Sequence, residues 1–240
     1  MIRESLVSLV PSFTETLRAW GVEPLACTRY CEQPDLPTVG GTKNPDIEAI
    51  VALRPSLVLL DKEENRREDA EELLARGVEV FVSDVRDVTQ VKGELDRLAA
   101  FIGLPPQTSD WPPIPRPGEV PFARRAFVPI WRRPWMSIGP QTYGSTLLAA
   151  LGIGNVIAEA SGKTGDYPEL TLDEIASLDP DVILVPSEPY DFEPEHLVPL
   201  AAIAPVVRVD GQDLFWWGTR TPAALARLHL QVNAPTTPDL

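Results

Sequence analysis

Histidine is nearly missing from this 240-residue chain, which carries only His196 and His229. A three-histidine metal site is therefore excluded, and neither residue has the i, i+4 partner of a zinc-binding helix. Cysteine is as scarce, with Cys27 and Cys31 alone in the stretch CTRYC. One pair makes neither a disulfide framework nor a four-ligand zinc site. The two read as loop thiols, with a redox pair or a soft-metal contact as the alternative. No G-x-S-x-G nucleophile elbow and no phosphate-binding Walker loop occurs, and Gly152-Ile153-Gly154 lacks the third glycine of a dinucleotide fingerprint. Basic residues are outnumbered, 21 against 35 acidic, for a net charge of −14. That balance argues against nucleic acid, which binds through phosphate neutralisation, and against an anionic membrane surface. No apolar run is long enough to span a bilayer, so no membrane insertion is expected. Met1-Ile2-Arg3-Glu4 leads into the first apolar run without a recognisable export leader. The expected location is cytoplasmic as written, or periplasmic or cell-surface if a leader has been removed.

What the chain does have is an internal echo. NPDIEAIVALRPSLVLLDKE (Asn44 to Glu63) and LTLDEIASLDPDVILVPSE (Leu170 to Glu188) align with Pro55 and Pro180, 125 residues apart. Apolar positions match, acids match, and each copy reads as helix, Pro-marked turn, buried strand and a glutamate just past the strand. Asn44 before Pro45 is the expected cap of the first helix, and Thr171 with Glu174 the capping box of the second. The unbroken runs Leu57–Leu60 and Val182–Val185 suit strands covered on both faces of a parallel sheet. A second echo links Leu6–Ser12, entering the helix Phe13–Trp20 and stopping at Gly21, to Trp135–Gln141, entering Thr142–Leu151 and stopping at Gly152. Ser12 with Glu15 reads as a further capping box.

Taken in order, the first half reads as strands alternating with helices, with strands at 7–10, 25–28, 57–60 and 78–82. Asn65 and Asp87 are expected to cap its last two helices. Leu104 to Pro121 holds seven prolines and reads as a semi-rigid linker. In the second half, strands are expected at 123–130, 182–185 and 206–209, with WRRPW (Trp131–Trp135) and Leu214–Gly218 as loops. Helices are expected near Glu195–Ala202 and at Pro222–Leu230. The organisation is an N-terminal α/β lobe over 1–103, a linker over 104–121, a C-terminal α/β lobe over 122–232, and a tail over 233–240. The fold class is α/β, with two Rossmann-like lobes of parallel sheet.

Ligands bind open α/β sheets at the carboxyl ends of the strands. The loops expected there include Pro11-Ser12, Cys27–Tyr30, Gly41–Asn44, Asp61–Asn65, Trp131–Trp135, Asp166-Tyr167, Glu188–Phe192 and Asp213–Gly218. Four of the six tryptophans, Trp131, Trp135, Trp216 and Trp217, fall in two of these loops. Aromatics placed there suit a large flat ligand; the alternative is that they pack the lobes together.

SLVPSFTETLRAWG, VGGTKNPDIEAIVALRPSLVLL, ENRREDAEELLARGVEVFV and YPELTLDEIASLDPDVILVPSEP together resemble the helical-backbone metal-receptor proteins. That class III periplasmic-binding-protein-like family includes cobalamin- and siderophore-binding components of ABC importers, and the resemblance is greatest to the cobalamin-binding type. It implies a non-enzymatic binding protein with a ligand cleft between two lobes, which a helix and the Pro-rich linker join. By position, Tyr30 matches a pocket tyrosine and Asp213 a pocket acid, while Thr42 and Tyr167 stand where the family has other aromatics. The ligand-binding set that follows is Ser12, Tyr30, Thr42, Lys43, Trp131, Arg132, Trp135, Tyr167, Asp213, Phe215, Trp216 and Trp217. Glu63, Glu64 and Glu68 on the first lobe and Glu188 on the second are the implied docking acids for an ABC-transporter permease. The implied ligand is a corrinoid such as cobalamin. Haem or a ferric siderophore is the variant, for which Arg124-Arg125 and Arg132-Arg133 are candidate partners of an anionic chelate. No metal held by the protein itself and no catalytic cofactor is expected. Two other functions stay open: an enzyme using Glu63, Glu188 and Asp213 as acid–base groups, and a cytoplasmic ligand sensor that binds a partner protein.

Overall fold

The computed structural model describes residues 3, 5–159 and 165–233, so residues 234–240 of the expected tail lie outside the described residues. The chain divides into two compact units, Met1–Val85 with Val91–Trp111, and Arg86–Gln90 with Pro112–Leu240. The division falls inside the proline-rich stretch, where no helix or strand forms between 104 and 123.

The first unit runs β1 (Leu6–Ser8), α1 (Pro11–Ala19), β2 (Ala26–Cys27), α2 (Ile47–Ala52), β3 (Leu57–Asp61), α3 (Arg67–Ala75), β4 (Val80–Ser83) and α4 (Val91–Ile102). Its four strands pair in parallel in the order β2-β1-β3-β4. Every residue of β3 is buried, as its unbroken apolar run requires of a strand covered on both faces. Val7, Val58 and Leu60 pack with Ile50 and Leu73 on one side of the sheet. Three expected caps move. α1 begins behind Val10 with Pro11 in its first turn and no side-chain cap, so Ser12 is inside the helix and buried. α2 is capped by Asp46, which accepts the Ala49 N–H at 3.0 Å, in place of Asn44. α3 starts behind Arg66, which frees Asn65 for other work. The Asp96 carboxylate on α4 accepts from Thr108 Oγ1 at 2.8 Å and from the Gln107 N–H at 3.1 Å, tying the start of the proline-rich stretch to its helix.

The second unit runs β5 (Arg124–Phe127), β6 (Pro129–Arg132), β7 (Trp135–Ser137), α5 (Tyr143–Ala150), β8 (Ile153–Asn155), β9 (Glu169–Leu170), α6 (Leu172–Ser177), β10 (Val182–Pro186), α7 (Pro194–Ala201), β11 (Val206–Val209), α8 (Gly211–Phe215) and α9 (Thr221–Val232). A parallel sheet has the order β11-β10-β5-β8, and an antiparallel sheet the order β6-β7-β9. The expected single strand over 123–130 is thus two strands in two sheets. WRRPW is not a loop: it spans a hairpin, with the cis Arg133–Pro134 bond between β6 and β7. The stretch expected as an aromatic loop at 214–218 begins as α8, capped by Asp210, which accepts the Asp213 N–H at 3.0 Å.

Read from the other edge, the second parallel sheet is β8-β5-β10-β11, the same order as β2-β1-β3-β4. β10 is then the counterpart of β3, as the echo at Pro55 and Pro180 requires. The echo at the unit starts needs correction: the counterpart of β1 is β5, and β7 belongs to the inserted hairpin. The main repeat extends to a feature the residues do not advertise. Arg54 and Asp179, each just before the repeated proline, have φ of 50° and 48°. Each follows the C-cap residue of α2 or α6, Leu53 or Leu178, and closes the helix in a left-handed turn, with Arg54 N–H to Val51 O at 3.0 Å and Asp179 N–H to Ala176 O at 3.1 Å. A β-branched side chain fits that conformation poorly. We predict that Arg54→Val and Asp179→Val each lower unfolding free energy in urea by about 1–2 kcal/mol, since both side chains are exposed and have little packing to lose. An unchanged midpoint in either variant would show that its turn does not need the left-handed residue.

Candidate functional site

Parallel pairing sends the carboxyl ends of β1, β2, β3 and β4 to one edge of the first unit. The turn after β2 closes with the Cys31 N–H donating to Thr28 O at 3.1 Å and presents Tyr30, which is 54% exposed. The Arg29 guanidinium carbon lies 5.6 Å from the Tyr30 ring centre. Gly41 lies against this pair: a Cβ there would stand 3.0 Å from Arg29 Nη2 and 3.1 Å from the Tyr30 ring. Thr42 is buried, and Lys43 reaches back so that its Nζ donates to Glu63 O at 2.5 Å. Glu63 and Glu64 are half-buried and Glu68 is exposed.

Beneath these loops is a polar network that sequence reasoning missed. Asn65 Oδ1 accepts the Asp61 N–H at 2.8 Å, and its Nδ2 donates to Leu9 O at 3.1 Å and Thr42 O at 3.0 Å. Asp61 accepts the Glu63 N–H at 2.8 Å and Ser83 Oγ at 2.5 Å. Asn65 stands one residue before the cap of α3 and bonds to three other segments in place of that helix. The cysteines are buried, free thiols, Cys27 at the end of β2 and Cys31 in the loop that follows. Cys31 Sγ is 3.2 Å from both Thr14 Oγ1 and Thr28 Oγ1. Burial pushes the Cys27 thiol up to about 12, so it stays protonated.

In the second unit the hairpin separates the two tryptophans of WRRPW. Trp135 pairs across from Arg132, and Trp131 from Met136. Trp135 turns into the core, stacked 6.1 Å from Phe192. Trp131 is 45% exposed and meets Tyr190 edge-on at 5.0 Å. Tyr190, half-buried, in turn lies 4.7 Å from Phe192, so exposed Trp131 stands through Tyr190 on a buried aromatic pair. Its signal in the sequence was only its place two residues past Glu188. Arg132 is half-buried and Arg133 exposed. The other arginine pair is spent: Arg124 donates to Val232 O at 3.0 Å, and Arg125 to Asp179 O and Leu178 O at 2.9 Å each. These two sit at the start of β5, the edge away from the ligand loops.

Three expected ligand contacts serve the fold. Asp213 is 1% exposed, and both its oxygens accept from Arg227, each at 2.6 Å. Trp217 is buried. Phe215 on α8 is half-buried, with its ring beside Gly144. Trp216 donates its indole N–H to Glu188 Oε1 at 2.7 Å, with the Arg220 guanidinium carbon 5.1 Å from its ring centre. Gly211 allows this arrangement, because a Cβ there would stand 2.5 Å from Glu188 Cγ and 2.6 Å from its backbone nitrogen. Glu188, expected as a docking acid, is thus held by an indole. Tyr167 is 43% exposed, beside the Asp166 carboxylate that pairs with Arg86 at 2.7 Å. Among the described residues, no three His, Cys, Asp or Glu side chains gather as a metal site.

Residues 6–110 match the family model for periplasmic binding proteins. Vitamin B12-binding proteins of Yersinia pestis (strain Pestoides F) and Yersinia pseudotuberculosis (strain IP32953) are 26% identical over 196 residues, covering 76% of this chain and 69% of theirs. Among solved structures, the periplasmic vitamin B12 binding protein of Vibrio cholerae superposes with a TM-score of 0.74 at 18% identity, covering 96% of this chain and 97% of its own. The periplasmic heme-binding protein from Roseiflexus sp. RS-1 gives a TM-score of 0.73 at 19% identity, over 95% and 97%. These findings support the resemblance read from the sequence.

Asp61 gives this edge a pH dependence. Burial raises its carboxyl to about 6, against hydrogen bonds from Ser83 and the Glu63 N–H that favour the charged form. The folded protein therefore keeps a proton that the unfolded chain releases near pH 4, and stability falls as pH rises from there through about 6. Asp61→Asn removes this contribution. In urea unfolding, the wild type is expected to lose about 2 kcal/mol more than the variant between pH 4.5 and 7.5. Equal losses would contradict the assignment.

Proposed function

We propose that this chain, of the periplasmic-binding-protein family by its matched residues and its fold, is a non-catalytic binding protein for a flat metal chelate, foremost a corrinoid of the cobalamin type. The observation that carries the reading is the exposed aromatic surface at strand carboxyl ends: Trp131 at 45% with Tyr190 against it, and Tyr30 at 54%. Large exposed rings placed where α/β sheets take ligands suit a planar chelate with an apolar face and a polar rim. In the first unit Lys43 is the proposed polar contact, and in the second Tyr167. The curated relatives' names, vitamin B12-binding protein, agree with this ligand class.

A haem-type chelate is the second reading, and a ferric siderophore follows the same charge logic. Arg132 and Arg133 beside Trp131 have no ion pair among the described residues, and a chelate with carboxylates would pair with them. Heme-binding proteins among the structural neighbours are consistent with it. Glu63, Glu64, Glu68 and Glu188 are proposed to dock on basic residues of an ABC-importer permease, where charge complementarity sets association rate and register. The compartment proposed is the periplasm, as for the neighbours so named. The acid–base reading has less support, because Asp213 is taken by Arg227 and Glu188 by Trp216.

Titration with cyanocobalamin and with haemin, followed by tryptophan fluorescence and visible absorbance, tests the ligand class. One of the two is expected to bind with Kd on the order of 1 μM or below, and Trp131→Ala to weaken it about tenfold or more without changing the melting temperature. Arg132→Ala with Arg133→Ala should weaken haemin and spare cyanocobalamin. Failure of both chelates to bind would overturn the reading.

A further inference from the structure

The loops that carry Thr42, Lys43 and Glu63 share one buried anchor. Asn65 is 7% exposed. It sits where the chain leaves β3 for α3, and its own N–H donates to Asp61 O at 2.8 Å while its Oδ1 accepts the Asp61 N–H at 2.8 Å. This reciprocal pair closes the turn that carries Glu63 and Glu64. The amide nitrogen then spends both hydrogens on other loops, one on Leu9 O at 3.1 Å and one on Thr42 O at 3.0 Å. A carboxylate at this position would have no hydrogen to donate, and an aliphatic side chain would leave two carbonyls and one N–H without partners. Only an amide of this length serves one acceptor and two donor bonds in this place. Two further contacts fix Glu63: Lys43 Nζ holds its carbonyl across the two loops, and the Asp61 carboxylate holds its N–H within the turn. Glu63 is thus gripped at its nitrogen by the strand and at its oxygen by the Thr42–Lys43 loop.

We propose that Asn65 is a positioning residue that holds the Thr42–Lys43 loop and the Glu63 turn in one fixed relation, so that the residue contacting the chelate and the residue facing the partner move together. The inference rests on the chelate-binding reading for its functional part and on geometry alone for its structural part. Because Lys43 reaches Glu63 only while Thr42 O is held, loss of Asn65 releases both.

Two measurements on the full chain separate these parts. The first needs no ligand. In Asn65→Ala, trypsin cleavage after Lys43 is expected to speed up at least tenfold, with cleavage after Arg76 and Arg97 in the same unit unchanged. Cleavage rising equally at all three sites, or at none, would overturn the anchor. The second is a double-mutant cycle on the Kd for cyanocobalamin and for haemin with Asn65→Ala and Lys43→Ala, at a temperature where every variant is folded by circular dichroism. Asn65→Ala is expected to weaken binding about tenfold, with little further loss when Lys43→Ala is added, because the loop is already released. A role in stability alone would lower the melting temperature and leave Kd unchanged, and that result overturns the positioning role. If the wild type binds neither chelate, the functional reading falls, and the cleavage pattern still decides whether Asn65 anchors the two loops.

Discussion

Parallel strand pairing is the constraint on which the rest depends. A parallel neighbour can be reached only by a crossover, and crossovers of one hand leave every carboxyl end on the same edge of a sheet. Both units obey this, in the matching orders β2-β1-β3-β4 and β8-β5-β10-β11. The buried runs Leu57–Leu60 and Val182–Val185 hold the centre of each sheet, and helices cover their faces. The side chains proposed to face a ligand then lie in the loops and the hairpin that follow those carboxyl ends. The first unit pins those loops with an amide, Asn65, and the second with an indole on a carboxylate, Trp216 on Glu188. The two edges are alike in topology and different in chemistry.

Much of the fold was legible. The helix–proline–strand echo predicted two equivalent central strands, and β3 and β10 are such strands. Thr171 with Glu174 forms the capping box its spacing implies. What was not legible came from residues with two possible uses. Asn44, Ser12 and Asn65 all have cap chemistry, yet only tertiary contacts decide whether a side chain serves its own helix or a distant carbonyl. The hairpin at WRRPW was hidden because proline ordinarily argues against a strand and the turn lacks the Asn-Gly or Asp-Gly signature. Without the hairpin β7 looks like the counterpart of β1, a place that β5 holds.

The candidate site was legible as a set of loops but not residue by residue. Trp131 and Trp135 look interchangeable in the sequence. The hairpin register puts one opposite Met136 and the other opposite Arg132, on different faces, and only Trp131 keeps an exposed ring. Asp213 looks like a free acid in an aromatic stretch, but α9 brings Arg227 onto both its oxygens. Arg124-Arg125 and Arg132-Arg133 look alike, and their places at opposite ends of the β5–β6 segment give them different work. In each case the deciding fact is a partner far along the chain, which local pattern does not carry.

Ligand contact at the carboxyl edges is what everything proposed for function requires. Amide hydrogen exchange with and without saturating cyanocobalamin, repeated with haemin, tests it most directly. Slower exchange is predicted at Thr28–Cys31, Gly41–Lys43 and Trp131–Trp135, with no change at Arg54–Ser56 and Asp179–Asp181, which enter β3 and β10 from the opposite edge. Protection centred on those entering turns, with the carboxyl-edge loops unaffected, would contradict it.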